Sequence, residues 1–435
     1  MTRIFSALGL LTLTLLTACS TSVPQVHAEE SPERFGHVAI VPIEDGDTPQ
    51  SLAAALGGTV LEWQDCSAAG QCTALIGFNN SLSAQSLRAL DGREVYIEPN
   101  RDVFTGGGTM TATMGGKISM WSGGKISMWS GGKISMWSGG AFSYLPENTA
   151  LWQKINLQQG QALAPRLGAG VTVAVIDSGI DLQHPAFQDA LSAPGTWRDF
   201  YAGDAVPQEE GTFGTGAYGH GTNVAGIVLQ IAPQAKIMPL RVLGPDGSGD
   251  VVMIAQAIDW AVFKGADIIN LSLGSTVSSK VVQGALQRAA ALGVLVVSSA
   301  GNENTNKITY PASVANSTEV GATSVSVGSV DLNDLKSSFS NYASNLEMVA
   351  PGEQVYAPAP EGHMAAWSGT SMAAPMVSGG LALALSANAR RSTAAQIVTQ
   401  TASNVYGNGA NADYAGKLGE QGRLDLNSFL TSAVR

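Results

Sequence analysis

The sequence predicts an α/β protein: a mostly parallel, doubly wound sheet over 149–435, preceded by a smaller α/β unit over 35–104. Three observations predict it. Beyond residue 149, short apolar runs that suit buried strands alternate with stretches of helical pattern, the arrangement of a parallel sheet with helices on both faces. The composition is 45% apolar and only 13% charged, with 51 glycines, which suits a well-buried core and excludes a coiled coil or a disordered acidic chain. Upstream, strand and helix signals are packed into about seventy residues with turn residues between them.

The first elements are not part of the fold. Arg3 supplies a positive start, and the apolar stretch 4–16 is short for a membrane span and ends in small residues, so 1–18 reads as a signal peptide. Leu16-Thr17-Ala18-Cys19 resembles the lipobox of bacterial lipoproteins, in which cleavage leaves the cysteine to carry the lipid. Ordinary cleavage after Val26-His27-Ala28 is the alternative. Either way the body is expected outside the cytoplasm, secreted or lipid-anchored at Cys19 on a bacterial cell envelope, with 19–34 as a linker. Cys66 and Cys72 are the remaining cysteines. They close a small loop in an oxidising compartment or stay as two buried thiols, and no histidine near them makes them catalytic.

In the 35–104 unit, 37–41 reads as a strand. Thr48-Pro49 offers a cap and a first turn for a helix over 51–56, closed by Gly57-Gly58. Strands over 59–63 and 73–78 follow, then a helix over 83–90 capped by Ser83, a turn at Asp91-Gly92, and a strand at Val95-Tyr96-Ile97. The order β-α-β-β-α-β is that of a ferredoxin-like unit. Next, Gly115-Gly116-Lys117-Ile118-Ser119-Met120-Trp121-Ser122 recurs at 123–130 and 131–138. Paired glycines at that spacing break any helix, so 105–148 reads as an expanded linker, or as a segment whose Met-Trp pairs dock on an apolar surface. The main body then offers buried strands over 171–176, 237–242, 268–273 and 294–298, and helices over 220–230, 251–264, 279–292 and 371–387.

Three motifs carry chemistry. Val173-Ala174-Val175-Ile176-Asp177-Ser178-Gly179 sets a carboxylate at the carboxyl end of a buried strand, where open α/β sheets present their ligand groups; alone it is equally a turn former. Gly219-His220-Gly221-Thr222-Asn223 opens a small-residue helix with a histidine between glycines that allow close approach. Gly369-Thr370-Ser371-Met372-Ala373-Ala374-Pro375 sets a hydroxyl at a helix N-terminus, where unpaired N–H groups and the helix dipole favour negative charge developing on a carbonyl oxygen. Serine also caps helices, but capping needs neither the glycine before it nor Ala-Ala-Pro after it. Asp, His, Ser is one of the chain orders in which nucleophilic triads occur.

With these motifs, residues from about 150 to 430 resemble the subtilisin-type serine peptidases, the subtilase family. Ser299-Ala300-Gly301-Asn302, Ser272-Leu273-Gly274, Phe339-Ser340-Asn341 and Val349-Ala350-Pro351-Gly352 extend the likeness. The resemblance implies a serine endopeptidase that acts on protein and peptide substrates with no cofactor for catalysis. In it Asp177, His220 and Ser371 form the triad, and Asn302 donates to the oxyanion. Ser272, Leu273 and Gly274 pair with substrate, and Gly274 lines a primary pocket with Thr309 deeper and Glu303 at its rim, for apolar or sizeable side chains and, through Glu303, basic ones. It also implies that 35–104, ending in Val95-Tyr96-Ile97-Glu98, is a pro-domain that assists folding and inhibits the enzyme as an intramolecular partner until removed.

Departures from the family pattern matter as well. The family often wraps a calcium ion in a loop after the histidine helix, but here Gln230 runs through Ile231-Ala232-Pro233 straight into the next strand, and Ala186 stands where a ligand Asp is common. The tight calcium site is therefore not expected, while weaker structural calcium built from carbonyls is not legible; no protein metal ligands are predicted. Asn223 replaces a second histidine, and 200–218 reads as a rim loop containing Glu209-Glu210. The net charge of −11 excludes nucleic acid as a partner, since no basic run can displace counterions from phosphates. An esterase of α/β-hydrolase type would need Gly-x-Ser-x-Gly and the order Ser, acid, His, and neither fits.

Overall fold

The computed structural model describes residues 35–63, 72–79, 90, 93–100, 102–104, 146–212 and 216–434. The predicted signal peptide with Cys19, the octapeptide repeat, the Asp91-Gly92 turn, Cys66 and all of the 83–90 helix except Leu90 lie outside these residues.

The smaller unit contains β1 (His37–Pro42), α1 (Pro49–Leu56), β2 (Thr59–Trp63), β3 (Thr73–Phe78) and β4 (Tyr96–Pro99). Its strands form an antiparallel sheet in the order β2-β3-β1-β4. The predicted cap of α1 is present in full. Thr48 Oγ1 accepts from Ser51 N at 3.0 Å and Ser51 Oγ from Thr48 N at 2.9 Å, a reciprocal pairing of orphan donors. Leu52 and Leu56 bury their side chains with Val41, Ile76 and Phe78. Cys72 is disulfide-bonded.

The main body is built on nine strands. They are β6 (Thr172–Asp177), β7 (Arg198–Asp199), β8 (Lys236–Arg241), β10 (Ile268–Leu271), β11 (Leu295–Ser299), β12 (Ser324–Val330), β13 (Met348–Pro351), β16 (Ser403–Asn404) and β17 (Gly422–Arg423). Their order is β16-β17-β13-β12-β11-β10-β6-β8-β7, parallel throughout except for the β16–β17 pair. Outside it lie β5 (Asp102–Phe104), β9 (Ser248–Asp250) and the hairpin of β14 (Val355–Ala359) and β15 (His363–Trp367). The helices are α2 (Thr149–Lys154), α3 (Leu157–Leu163), α4 (His220–Ile231), α5 (Val251–Phe263), α6 (Lys280–Ala291), α7 (Thr370–Ser386), α8 (Arg391–Gln400) and α9 (Leu426–Ala433).

Both faces of the sheet are covered, as predicted. Val173 and Val175 of β6 join the core that contains α4 and α7, while Ala174 and Ile176 join the core that contains α5 and α6. That is the two-residue period of a strand buried on both sides. Every residue of α4 is buried, and α7 crosses it closely: a Cβ on Gly379 would lie 2.7 Å from Ile231 Cβ. Strand β6 sits between β8 and β10, so the chain leaves it to one side and crosses back to the other. At such a reversal the carboxyl ends of the strands frame a crevice.

The smaller unit packs on the α5–α6 face. Val38 and Leu75 belong to the same core as Met253, Val281 and Val282. Glu98 accepts from Ser279 Oγ at 2.5 Å, Lys280 N at 3.0 Å and Val281 N at 3.3 Å, capping α6 with a carboxylate where the helix dipole favours one. Beyond it, β5 pairs antiparallel with β9, Asp102 opposite Asp250 and Phe104 opposite Ser248. Among the described residues no helix is long and apolar enough to cross a membrane.

Candidate active site

Asp177 ends β6 and is fully buried. Its Oδ1 lies 2.7 Å from His220 Nδ1 and accepts from Ser178 N at 2.7 Å, while Oδ2 has no hydrogen-bond partner among the described residues. A carboxylate on Nδ1 holds the imidazole proton there and leaves Nε2 with a lone pair. His220 opens α4 and is 3% exposed. The glycine after it is required sterically: a Cβ on Gly221 would lie 2.1 Å from Gly179 O. Trp367, at the end of β15, meets the imidazole edge-on with ring centroids 5.5 Å apart, walling it from water.

Ser371 lies in the first turn of α7, 2% exposed. Its Oγ donates to Ser272 O at 3.1 Å, and Ser272 Oγ donates back to Ser371 O at 2.8 Å. Pro375 explains the second bond. Four residues after Ser371 it has no N–H, so the Ser371 carbonyl lacks its helical partner and takes the Ser272 hydroxyl instead. Asn270 Nδ2 donates to Ser272 Oγ at 2.9 Å, and Ser378 Oγ to Asn270 Oδ1 at 2.8 Å. This relay fastens the end of β10 to α7.

Asn302 follows β11 and is 5% exposed. Its Oδ1 accepts from Thr370 N at 2.8 Å and Thr370 Oγ1 at 3.0 Å, which turns the Nδ2 donors toward Gly369. A Cβ built on Gly369 would lie 3.5 Å from Asn302 Nδ2 and 3.6 Å from Ser371 N. Two N–H donors therefore lie near one point beside Gly369, as donors to a carbonyl oxygen are arranged.

The predicted segment Ser272, Leu273 and Gly274 follows β10 directly. Leu273 is fully buried, and Gly274 packs against Thr309, whose Oγ1 would lie 2.7 Å from an added Cβ. Glu303 is half-buried with its carboxyl turned toward Gly301 and Asn341. Its Oε2 accepts from Asn341 Nδ2 at 2.5 Å, its Oε1 is buried without a partner among the described residues, and burial pushes the carboxyl up to about 7. Asn223 donates to Pro358 O and Ala365 O, both at 3.3 Å, holding the β14–β15 hairpin.

The residues do not fit the tight calcium site of the resembled family. Ala186 is fully buried where a ligand carboxylate would stand, and only 232–235 connect α4 to β8. Among the described residues no group of three or more His, Cys, Asp or Glu is placed to hold a metal.

Sequence reading missed Trp367, Asn270, Ser378 and Thr370 as supports of the site. It placed Glu209 in a rim loop, whereas Glu209 is 3% exposed beneath Asp177. Only Thr370 carried a signal, as the neighbour of Ser371 in the same motif.

Comparison with known proteins agrees with the geometry. The family model described as the subtilase family matches residues 168–422. Thermitase of Thermoactinomyces vulgaris is 36% identical over 267 residues, 59% of this chain and 89% of thermitase. An alkaline protease of Alkalihalobacillus alcalophilus is 38% identical over 261 residues, 56% of this chain and 63% of that protein. Subtilisin Savinase of Lederbergia lenta is 40% identical over 225 residues, 50% of this chain and 76% of Savinase.

Proposed function

Since the chain belongs to the subtilase family and is a subtilisin-type serine endopeptidase acting on proteins, we propose that Ser371, His220 and Asp177 carry its reaction and that it is made as a self-processed precursor. Ser371 Oγ turns from the Ser272 carbonyl, gives its proton to His220 Nε2 and attacks the scissile carbonyl carbon. Asp177 holds the imidazolium. Asn302 Nδ2 and Ser371 N receive the oxyanion of the tetrahedral intermediate. On collapse the C–N bond breaks, His220 returns the proton to the leaving amine, and the acyl group stays on Ser371. Water then attacks that ester, giving its proton to His220, and the Ser371 hydroxyl is restored. The observation that carries this reading is the buried 2.7 Å contact of Asp177 Oδ1 with His220 Nδ1, with the two donors beside Ser371 as its complement. Substrate backbone runs along Ser272, Leu273 and Gly274.

Residues 35–104 act as the pro-domain and intramolecular inhibitor. Support comes from Glu98 on the N-terminus of α6 and from the β5–β9 pairing, which leads the end of the unit onto the enzyme body. Cleavage falls between Phe104 and Leu151. The leader directs the chain out of the cytoplasm, and Cys19 carries a lipid. Catalysis needs no cofactor, and the family's tight calcium site is dispensed with.

The test treats the exported protein with a serine-reactive phosphonate and reads its intact mass and N-terminus. Phosphonate on Ser371, a mature N-terminus between 105 and 151, and a Ser371→Ala chain that stays uncut and does not digest casein are the expected results. A purified Ser371→Ala protein that still cleaves casein refutes the assignment, and a precursor that begins after Ala28, or that keeps Cys19 without lipid, refutes the anchor.

A further inference from the structure

The segment between β7 and α4 sends one carboxyl under the Asp177–His220 pair. Glu209 is 3% exposed. Backbone bonds hold it there: Glu209 N donates to Ile180 O at 3.1 Å, and Ile180 N to Pro207 O at 3.0 Å. Glu209 Oε1 accepts from Ser178 Oγ at 2.5 Å, and Oε2 accepts from Thr222 N at 3.2 Å and from Thr222 Oγ1. Ser178 is the neighbour of Asp177, and Thr222 lies in the first turn of the helix that His220 opens. That helix has glycine at its N-cap and no side chain of its own to take its first N–H groups. Ser178 Oγ accepts the Gly221 N–H at 3.0 Å, and Glu209 accepts the next.

We propose that Glu209 is a positioning residue of the peptidase reaction. As a carboxylate it caps the helix that carries His220, ties that helix to the turn that carries Asp177, and sets a second negative charge behind the pair that holds the imidazolium. The inference rests on the triad reading above.

The hydroxyl protons decide which form of Glu209 the network needs. Ser178 Oγ already accepts from Gly221 N, and Thr222 Oγ1 from Asp181 N at 2.9 Å. Both hydroxyls therefore turn their own protons to Glu209. A carboxylate accepts both hydroxyl protons; a carboxylic acid that donates to one of these hydroxyls leaves that hydroxyl's own proton without the Glu209 oxygen as its acceptor. Against this, burial pushes Glu209 up to about 7, with the Asp177 charge adding to the rise while Ser178, Thr222 and the Gly219 backbone hold it down. The other charges around it are disposed as follows. Tyr218 lies near enough to feel it: burial first, then the Glu361, Glu209 and Asp181 charges, raise the Tyr218 hydroxyl. Arg241 of β8 donates to Gln208 O at 3.2 Å but is engaged by Asp199 and Glu210 at 3.0 and 3.1 Å. Glu209 thus exchanges its proton near neutrality, and the clamp and its charge are lost together as the pH falls.

The test uses the mature enzyme on a chromogenic peptide anilide, with active sites counted by the phosphonate. Glu209→Gln keeps the size and removes the charge. Its kcat per labelled site should fall about 10–100-fold, the range for losing an outer partner of a metal-bound histidine, with KM changed by less than about twofold and Glu209→Asp recovering part of the loss. In the wild type, log kcat/KM should fall with a slope steeper than one over the first one to two pH units below both ionisations, until the extra loss matches that of Glu209→Gln, whereas the variant keeps a slope of one throughout. A Glu209→Gln enzyme with unchanged kcat and pH profile overturns the proposal, as does a wild-type acid limb of slope one, which decides alone if the variant does not mature. Wild-type enzyme that takes no phosphonate on Ser371 would sink the triad reading instead.

Discussion

The two halves of the active site are held by different kinds of force. Around Asp177 and His220 the supports are ionisable and buried: one carboxyl on the imidazole, a second behind it, and a buried arginine nearby engaged by Asp199. The side chains that touch Ser371 and the Asn302 amide are neutral, namely Ser272 and Thr370 and, one bond further, Asn270 and Ser378, while the Glu303 carboxyl, next along the chain, takes a bond from the Asn302 backbone. The difference follows from the chemistry. In the proposed reaction His220 becomes a cation, and nearby negative charge is what holds a cation in a dry site. On the same proposal Ser371 and Asn302 handle a developing oxyanion, for which fixed dipoles suffice and carry no pH dependence of their own.

Removing a dipole from the neutral half should have the largest effect. Asn302→Ala takes one of two donors from the space beside Gly369 and should lower kcat by about 10²–10³, a range known from subtilisin itself rather than obtained from this chain. KM should hardly change, because the oxyanion forms only on the way to the transition state. The loss should be equal at every pH, unlike that of Glu209→Gln. Steady-state kinetics from pH 6 to 9 distinguish them, and a pH-dependent Asn302→Ala defect would contradict the division into charged and neutral halves.

A smaller effect tests whether the neutral half is held as the proline suggests. Ser272→Ala leaves the Ser371 carbonyl buried with neither a helical nor a side-chain donor, a cost of about 1–3 kcal/mol. Pro375→Ala restores an N–H at the position that bonds to that carbonyl. The double variant should therefore lose less than the sum of the single losses, by about 1 kcal/mol. Denaturant midpoints of phosphonate-blocked protein, which cannot digest itself, give the comparison. Additive losses would mean that the Ser272 hydroxyl does not substitute for the missing helical bond.

Much of the charged half and of the fold could be read from the chain. Asp177 and His220 sit at the end of an apolar strand and the start of a small-residue helix, positions set by local pattern. The same holds for Thr48 with Ser51 at the cap of α1. Glu209 was not legible, because its burial comes from the bridge between Ile180 and Gln208, a contact that nothing in 200–218 encodes locally. Strand β12 escaped for a related reason. Ser324-Val325-Ser326-Val327 alternates as a half-exposed strand does, yet all of β12 is buried. Its serines are satisfied by distant groups, Ser326 by Glu347 and Ser329 by Ser340 and Ser337. Trp367 lies in a hairpin flanked by prolines and glycines, and its packing on His220 depends on where that hairpin folds back.

Glu347 sharpens the comparison from outside the site. It too is pushed up to about 7 by burial, against the hydrogen bonds from Ser326 N at 2.8 Å and Ser326 Oγ at 3.2 Å. It lies just before β13 and touches no catalytic group, so its titration should alter stability alone. The folded state holds the proton more tightly than the unfolded chain, so the contribution is complete below the unfolded value near 4.5 and is lost as the pH rises through about 7. Glu347→Gln cannot lose it. Relative to wild type the variant should therefore gain about 1–2 kcal/mol between pH 5 and pH 8, less than the full shift implies because the site is partly solvated. Its kcat and pH profile should be those of wild type. If Glu347→Gln instead shifted the acid limb of kcat/KM, carboxyls with raised pKa values would act on this enzyme from anywhere in the fold, and the place of Glu209 beneath Asp177 would lose its meaning.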